Sequence, residues 1–215
     1  MSDTADVLDL TDAPAHRAPF TFLDPGPLID RELQLIPPTP AWLDDIVAAC
    51  THPLTARENP AMARPGYTRE QVRAFLESNP LGHEPPDPDR NKVPAYHFLM
   101  LLPQGSPLRI AGGIGLRIGQ SPNLQLYLGH IGYHVYPPAR GRHYAERACR
   151  LLLPLARRHG LTELWITCNP DNTPSRRTCQ RLGADYMGTV NLPKSHNLWD
   201  RGERQKCRYR LRLYR

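Results

Sequence analysis

The sequence predicts an α+β fold, with a central mixed, mostly antiparallel sheet flanked by helices. Three observations carry this. Apolar residues recur with strand period in successive runs between residues 95 and 136, separated by turn chemistry rather than helix. Helical periods form a block before those runs and return singly after them, which is not the strand–helix alternation of a parallel sheet. At 215 residues the chain is long enough for one domain with a full core.

Taken in order, residues 1–30 hold six Asp, one Arg and several Pro with no period. They predict a flexible acidic tail ahead of a single domain over residues 31–215. Glu32 to Ile36 alternates as a short strand closed by Pro37-Pro38. Thr39-Pro40 is a helix start, followed by Trp42, Leu43, Ile46, Val47 and Cys50 on one stripe. Thr51 to Tyr67 holds no period, and Thr68-Arg69-Glu70-Gln71 is a capping box for a second helix through Leu76. Pro80 to Lys92 is loop. Strands are expected over Ala95–Leu102, Leu108–Ile118 and Leu124–Tyr136, the second with Leu108, Ile110, Ile114, Leu116 and Ile118 on one face and Arg109 and Arg117 on the other. A helix from His143 to His159 follows, with Pro154 expected to kink it or split off its last turn. Leu164 to Cys168 is a strand, Thr173 to Leu182 a short helix ended by Gly183, and Ala184–Leu192 with Gln205–Tyr214 a closing strand pair.

Composition narrows the function classes. A net charge of +6 and a pI near 9.2 favour an anionic ligand, and Arg dominates Lys, which suits phosphate or carboxylate recognition. Nucleic acid is disfavoured, since charge alone supports it and no basic cluster is interleaved with aromatics. The five cysteines form no short pair and read as reduced thiols of a cytoplasmic protein. Met1 to Asp12 lacks the apolar core of a signal peptide, and no run approaches the roughly 20 apolar residues of a membrane span. Gly112, Gly113, Gly115 and Gly119 do not complete GxGxxG, no phosphate-loop GxxxxGK[ST] or GxSxG elbow occurs, and the nine histidines form no HExxH or metal-like cluster. The expectation is therefore no metal.

The stretch that organises the chain runs from Gly129 to Leu161. A strand rich in aromatic and β-branched residues stops at Pro137-Pro138, and Arg140-Gly141-Arg142 then opens a helix. A basic, glycine-bearing turn at a helix start is an anion site, where free backbone N–H groups and the positive end of the helix dipole converge.

Val135 to Ala145 resembles the acyl-CoA loop of the GNAT superfamily of N-acetyltransferases, whose pattern is Arg/Gln-x-x-Gly-x-Gly/Ala after a strand and a Pro-bearing turn. Arg140 takes the first position, His143 stands where the first Gly is usual, and Ala145 matches the last. Downstream, Asn172, Ser175, Arg181 and Gly183 fit the superfamily's Asn-x-x-Ala-x-x-x-Tyr-x-Lys-x-Gly pattern, with Ser for Ala and Arg for Lys. The two motifs cover about Ala95 to Tyr214, and the amino-terminal helices fit the superfamily's variable substrate side.

The resemblance implies a GNAT-like acyltransferase that moves acetyl from acetyl-CoA, as co-substrate, to a primary amine of a small molecule or a protein by direct attack. It implies that Gly141, Arg142, His143, Tyr144 and Ala145 hold the pyrophosphate with Arg140, and that the backbone of Tyr133, His134 and Val135 pairs with the pantetheine arm. Asn172 contacts the cofactor from the next helix. His143, as a helical residue, needs no positive φ and so tolerates the glycine position. His130 occupies the strand position where some histone-type members carry a glutamate base; the alternative is a packed strand histidine. Cys179 stands where many members have a tyrosine acid; the alternative is a buried thiol. A second reading, an acyl-CoA-binding or regulatory domain that has lost chemistry, rests on the substitutions at His143 and Cys179. A homodimer stays open, and the acceptor has no readable code.

Overall fold

The computed structural model describes residues 20–58, 68–78, 81–87 and 92–213. The expectations for residues 1–19, for the aperiodic 59–67, for loop residues 80 and 88–91 and for Tyr214 fall outside them. Residues 20–30 are not tail. Leu28 is buried, Phe20 and Phe22 stack on His159 and His83, and strand β1 (Ile29–Asp30) pairs with β2 (Leu33–Ile36). An acidic count hid three apolar anchors in this segment.

A 3-10 turn over Pro40–Trp42 leads into α1 (Leu43–Thr51), and α2 (Pro53–Glu58) follows, an extra helix in the aperiodic stretch. The capping box of α3 (Arg69–Ser78) forms in both directions, with Gln71 N donating to Thr68 Oγ1 at 3.3 Å and Thr68 N to Gln71 Oε1 at 3.2 Å. Then come β3 (His83–Glu84), β4 (Ala95–Leu101), β5 (Ile110–Arg117) and β6 (Ile131–Val135). The chain closes with α4 (Tyr144–Arg158), β7 (Glu163–Cys168), α5 (Thr173–Arg181), β8 (Asp185–Asn191) and β9 (Gln205–Arg212). The strand order is β1-β2-β4-β5-β6-β7-β9-β8, with β3 on the other end of β4, and among the described residues β6–β7 is the one parallel pair. This is the mixed, mostly antiparallel sheet that the sequence predicts.

Each face of the sheet carries its own core. Ile114, Leu116 and Ile131 pack with Leu152 and Leu155 of α4, while Leu99, Leu108 and Ile110 pack with Ile46 of α1 and Leu76 of α3. The expected face of β5 is therefore split. Met100 pairs with Gly112 but Leu101 with Ile110, so Ala111 is an extra residue that flips the strand. Simple alternation cannot show a bulge.

Two further expectations change. The strand expected over Leu124–Tyr136 begins only at Ile131, because Leu124–Leu128 forms a turn of π-helix. Ser121 starts that turn as a cap, its Oγ accepting from Leu124 N at 3.2 Å, and Gly129 at φ 70° ends it. The Leu124, Leu126, Leu128 alternation mimicked a strand while Ser121-Pro122 was a helix start. Helix α4 runs unbroken through Pro154. Its buried face, including Cys149, Leu152 and Leu155 around the proline, holds the helix together across the missing N–H.

Candidate active site

The site begins where β6 and β7 part. Their pairing is confined to Ile131 against Ile166, with His130 N donating to Trp165 O at 2.6 Å just before it. Beyond that the strands splay, leaving a cavity of about 860 Å³ open along the edge of β6. All five residues of β6 line it, so an extended ligand arm can add to the strand through its backbone.

The turn before α4 closes one end. Residues Pro137–Ala139 make a 3-10 turn, then Gly141 takes φ 85° and His143 φ 58°. His143 is thus a left-handed helix cap and not a helical residue, which corrects the expectation. The first glycine of the motif is usual here because the backbone turns left, and histidine is among the side chains that enter that region most readily. The turn leaves the first N–H groups of α4, from Tyr144 onward, without intrahelical acceptors and aimed at the cavity end. A Cβ added at Gly141 would meet nothing within 4 Å, so the space above it is open. Arg177 and Arg181, one turn apart on α5, line the facing wall.

Of the residues expected to bind cofactor, Tyr133, His134, Val135, Arg140, Gly141, His143, Tyr144, Ala145 and Asn172 line this cavity. Arg142 does not; it points to a small depression on the other side of the turn with Leu102 and Leu108. Arg140 is already engaged, donating from Nε to Val135 O at 3.1 Å and pairing through Nη1 with Glu58 at 3.2 Å. Asn172 caps α5, its Oδ1 accepting from Ser175 N at 3.2 Å. The open edge of β6, the free amides and the cationic walls fit an extended thioester ending in phosphates.

The two expected catalytic residues stand elsewhere. His130 is 2% exposed and outside the cavity lining. Its Nδ1 accepts from Trp165 N at 2.9 Å and its Nε2–H donates to Gly119 O at 2.9 Å, so the neutral ring has both nitrogens in use. Burial pushes its pKa down. The ring extends the β6–β7 ladder by one rung, and we assign it that structural role. Cys179 is fully buried against α4, and burial pushes its thiol up to about 12. It reaches no cavity surface.

Other groups take the positions these two were expected to hold. Glu203 is the one carboxylate lining the cavity. It pairs with Lys206, whose Nζ also donates to Asn169 Oδ1 at 2.9 Å. On the α5 wall, Tyr133 Oη and Ser175 Oγ are 2.9 Å apart, and burial pushes the phenol pKa upward, so it stays protonated. Strand alternation could have flagged Lys206, which faces away from Cys207 and Tyr209. Nothing in the sequence could have flagged Glu203, which lies in the loop between β8 and β9. Among the described residues, no cluster of His, Cys, Asp and Glu could hold a metal, and no helix is long and apolar enough to cross a membrane.

Residues 32–185 match the family model of an acetyltransferase (GNAT) domain. Solved structures share the fold. The microcin C7 self-immunity acetyltransferase MccE, solved with acetyl-CoA and AMP, is 20% identical at a TM-score of 0.61, covering 84% of this chain and 92% of its own. RimL, the ribosomal L7/L12 alpha-N-protein acetyltransferase solved with coenzyme A, is 18% identical at 0.59, covering 86% and 96%. A GNAT-family acetyltransferase from Bacillus anthracis is 19% identical at 0.59, covering 87% and 98%. No curated protein matches the chain in sequence.

Proposed function

The chain belongs to the GNAT acetyltransferase family, and from that premise we propose that it transfers acetyl from acetyl-CoA to a primary amine by direct attack in the cleft between β6 and β7. The observation that carries this reading is the splay of those strands beside the left-handed turn at Gly141 and His143. It leaves a strand edge for the pantetheine arm and free amides for the pyrophosphate, within one cavity. The protein-acting RimL and the acetyl-CoA complex of MccE agree with it.

The residues at the cleft divide the work. The acceptor enters from the sheet face opposite α4, where Glu203 can hold the amine by a hydrogen bond and take its proton. The amine nitrogen forms its bond to the acetyl carbon as the carbon–sulfur bond breaks, and the departing thiolate takes a proton from the Tyr133–Ser175 pair. The phenol carries its proton at neutral pH, and the developing thiolate beside it supplies the drive for the transfer. Backbone N–H groups along β6 support the developing oxyanion.

Free-thiol release from acetyl-CoA over a panel of primary amines, with calorimetric CoA titration, tests the reading. Turnover with at least one amine, abolished by removing Glu203, is the expected result. Tight CoA binding without turnover on any amine would establish the silent, CoA-binding reading instead. No CoA binding would overturn both.

A further inference from the structure

The sheet face from which the acceptor must approach carries an unusual cation. Arg117, near the end of β5, points to the side opposite α4, and its guanidinium lies over Gly132 of β6. A side-chain carbon at position 132 would stand 3.4 Å from Nη1 and 3.9 Å from Nη2. Gly132 lines the cleft, and the guanidinium packs against that glycine just behind the lining. The guanidinium is partly buried and makes one hydrogen bond, from Nη1 to Gly129 O at 3.3 Å. Among the described residues no carboxylate comes within ion-pair distance of it.

Each neighbouring cation has its charge answered differently. Lys206 is neutralised by Glu203. Lys92 is neutralised by Glu84, which also meets His97 at 3.1 Å. Arg208 stacks on the Trp165 ring at 4.6 Å. A half-buried guanidinium with no carboxylate in contact, reached only by the more distant charge of Glu84, is costly unless something anionic is to be placed beside it. The backbone under it is small, since Gly115 pairs with Gly132 across β5 and β6 and Gly113 lies two residues along on the same face. His134 covers Gly113 and His97 covers Gly115, whereas what stands over Gly132 is the Arg117 guanidinium itself.

We infer that Arg117 is a specificity-determining residue that binds a carboxylate of the acceptor, so the acceptors are primary amines that carry a carboxylate, as α-amino acids do. The planar fork of Arg117 takes the two carboxylate oxygens, the amine turns toward the cleft beside Gly132, and the glycine keeps the path between them clear. This rests on the reading of the cleft as the acyl-CoA site. Arg117 positions the acceptor and does no proton transfer. Burial pushes the guanidinium pKa down against the opposing charge of Glu84, and the arriving carboxylate offsets that burial with its own charge.

The test compares α-amino acids with their carboxamides, which keep the amine and lose the charge, on the full chain saturated with desulfo-CoA, and in parallel by turnover with acetyl-CoA. The expected result is that the acids bind at least about tenfold tighter than the amides. Arg117→Gln should abolish that difference by weakening the acids alone, Arg117→Lys should restore part of it, and CoA affinity should be unchanged in both. In turnover the loss should lie in KM and not in kcat. Equal binding of acids and amides by the unaltered protein would overturn the proposal, as would a preference for phosphate-bearing amines over carboxylate-bearing ones. A variant that weakens acid and amide alike would return Arg117 to a structural role. Failure of CoA itself to bind would instead overturn the reading of the cleft.

Discussion

The two faces of the sheet are built in opposite ways. On the α4 side the cofactor wall comes from nearly continuous chain, β6 through the turn to α4 and then β7 to α5, so each binding group is placed by its neighbours in sequence. On the other side the polar groups arrive from far apart: Glu203 and Lys206 line the cleft from the last hairpin, while Arg117 reaches Gly132 from β5, with His97 and Glu84 on the strands beside it. The difference teaches why the cofactor can be named while the acceptor needs an inference. A local wall is encoded as a motif, whereas a composite wall exists only after the sheet has formed.

Substitutions on the two faces should therefore separate binding of cofactor from chemistry on the acceptor. The largest effect is expected at Glu203. Glu203→Gln should lower kcat by about 10²–10⁴-fold with CoA affinity kept, read by thiol release and calorimetry. Retained kcat would remove Glu203 from the proton-transfer role.

Gly141→Glu comes next, on the other face. A non-glycine residue at φ 85° costs about 1–2 kcal/mol, and its carboxylate would face the phosphates, so CoA affinity should fall on the order of a hundredfold. Unchanged affinity would break the phosphate-turn assignment. Arg140→Ala should have a smaller effect, weakening CoA by only about three- to tenfold, because an exposed guanidinium already shared with Glu58 and Val135 O gives up part of what it gains.

The smallest effect on chemistry is expected at His130, which belongs to neither wall. His130→Ala should leave the pH profile of kcat unaltered while costing about 2–4 kcal/mol of stability, since it strands the Trp165 N–H and the Gly119 carbonyl. The sign of its pH dependence follows from burial. The unfolded ring takes a proton near 6.5 while the folded ring resists, so its contribution is full above that value and is lost as pH falls below it. Urea midpoints measured from pH 7.5 to 5 should decline less steeply in His130→Ala. An ionisation near neutrality that disappears from the kcat profile would restore His130 as the base.

How far the site was legible follows the same division. The turn from Arg140 to Ala145 and the short helix from Thr173 were legible because glycine and proline act on their own backbone, whereas the cap that Asn172 makes was not read. His143 lines the cavity as its motif position suggested but takes a left-handed backbone, because a motif position says where a residue falls and not which φ it takes. His130 and Cys179 were read by position in a motif, and burial withdrew both. A titratable side chain in a strand or helix has the same sequence signature whether it faces a cleft or a core. The Ala111 bulge decided which side of β5 each residue faces, and nothing in the alternation announced it.

By itself the sequence determined the order and kind of the main elements, the mixed sheet and the basic, glycine-bearing turn before α4, since each rests largely on interactions within a few residues. The tertiary structure alone decided which groups stand at the cleft. It put Glu203 beside Lys206 at the mouth, Tyr133 against Ser175 on the wall, and Arg117 across Gly132. The reason is that exposure, pairing and the approach of one strand to another are properties of the packed sheet, set by register and splay between segments that the chain keeps far apart.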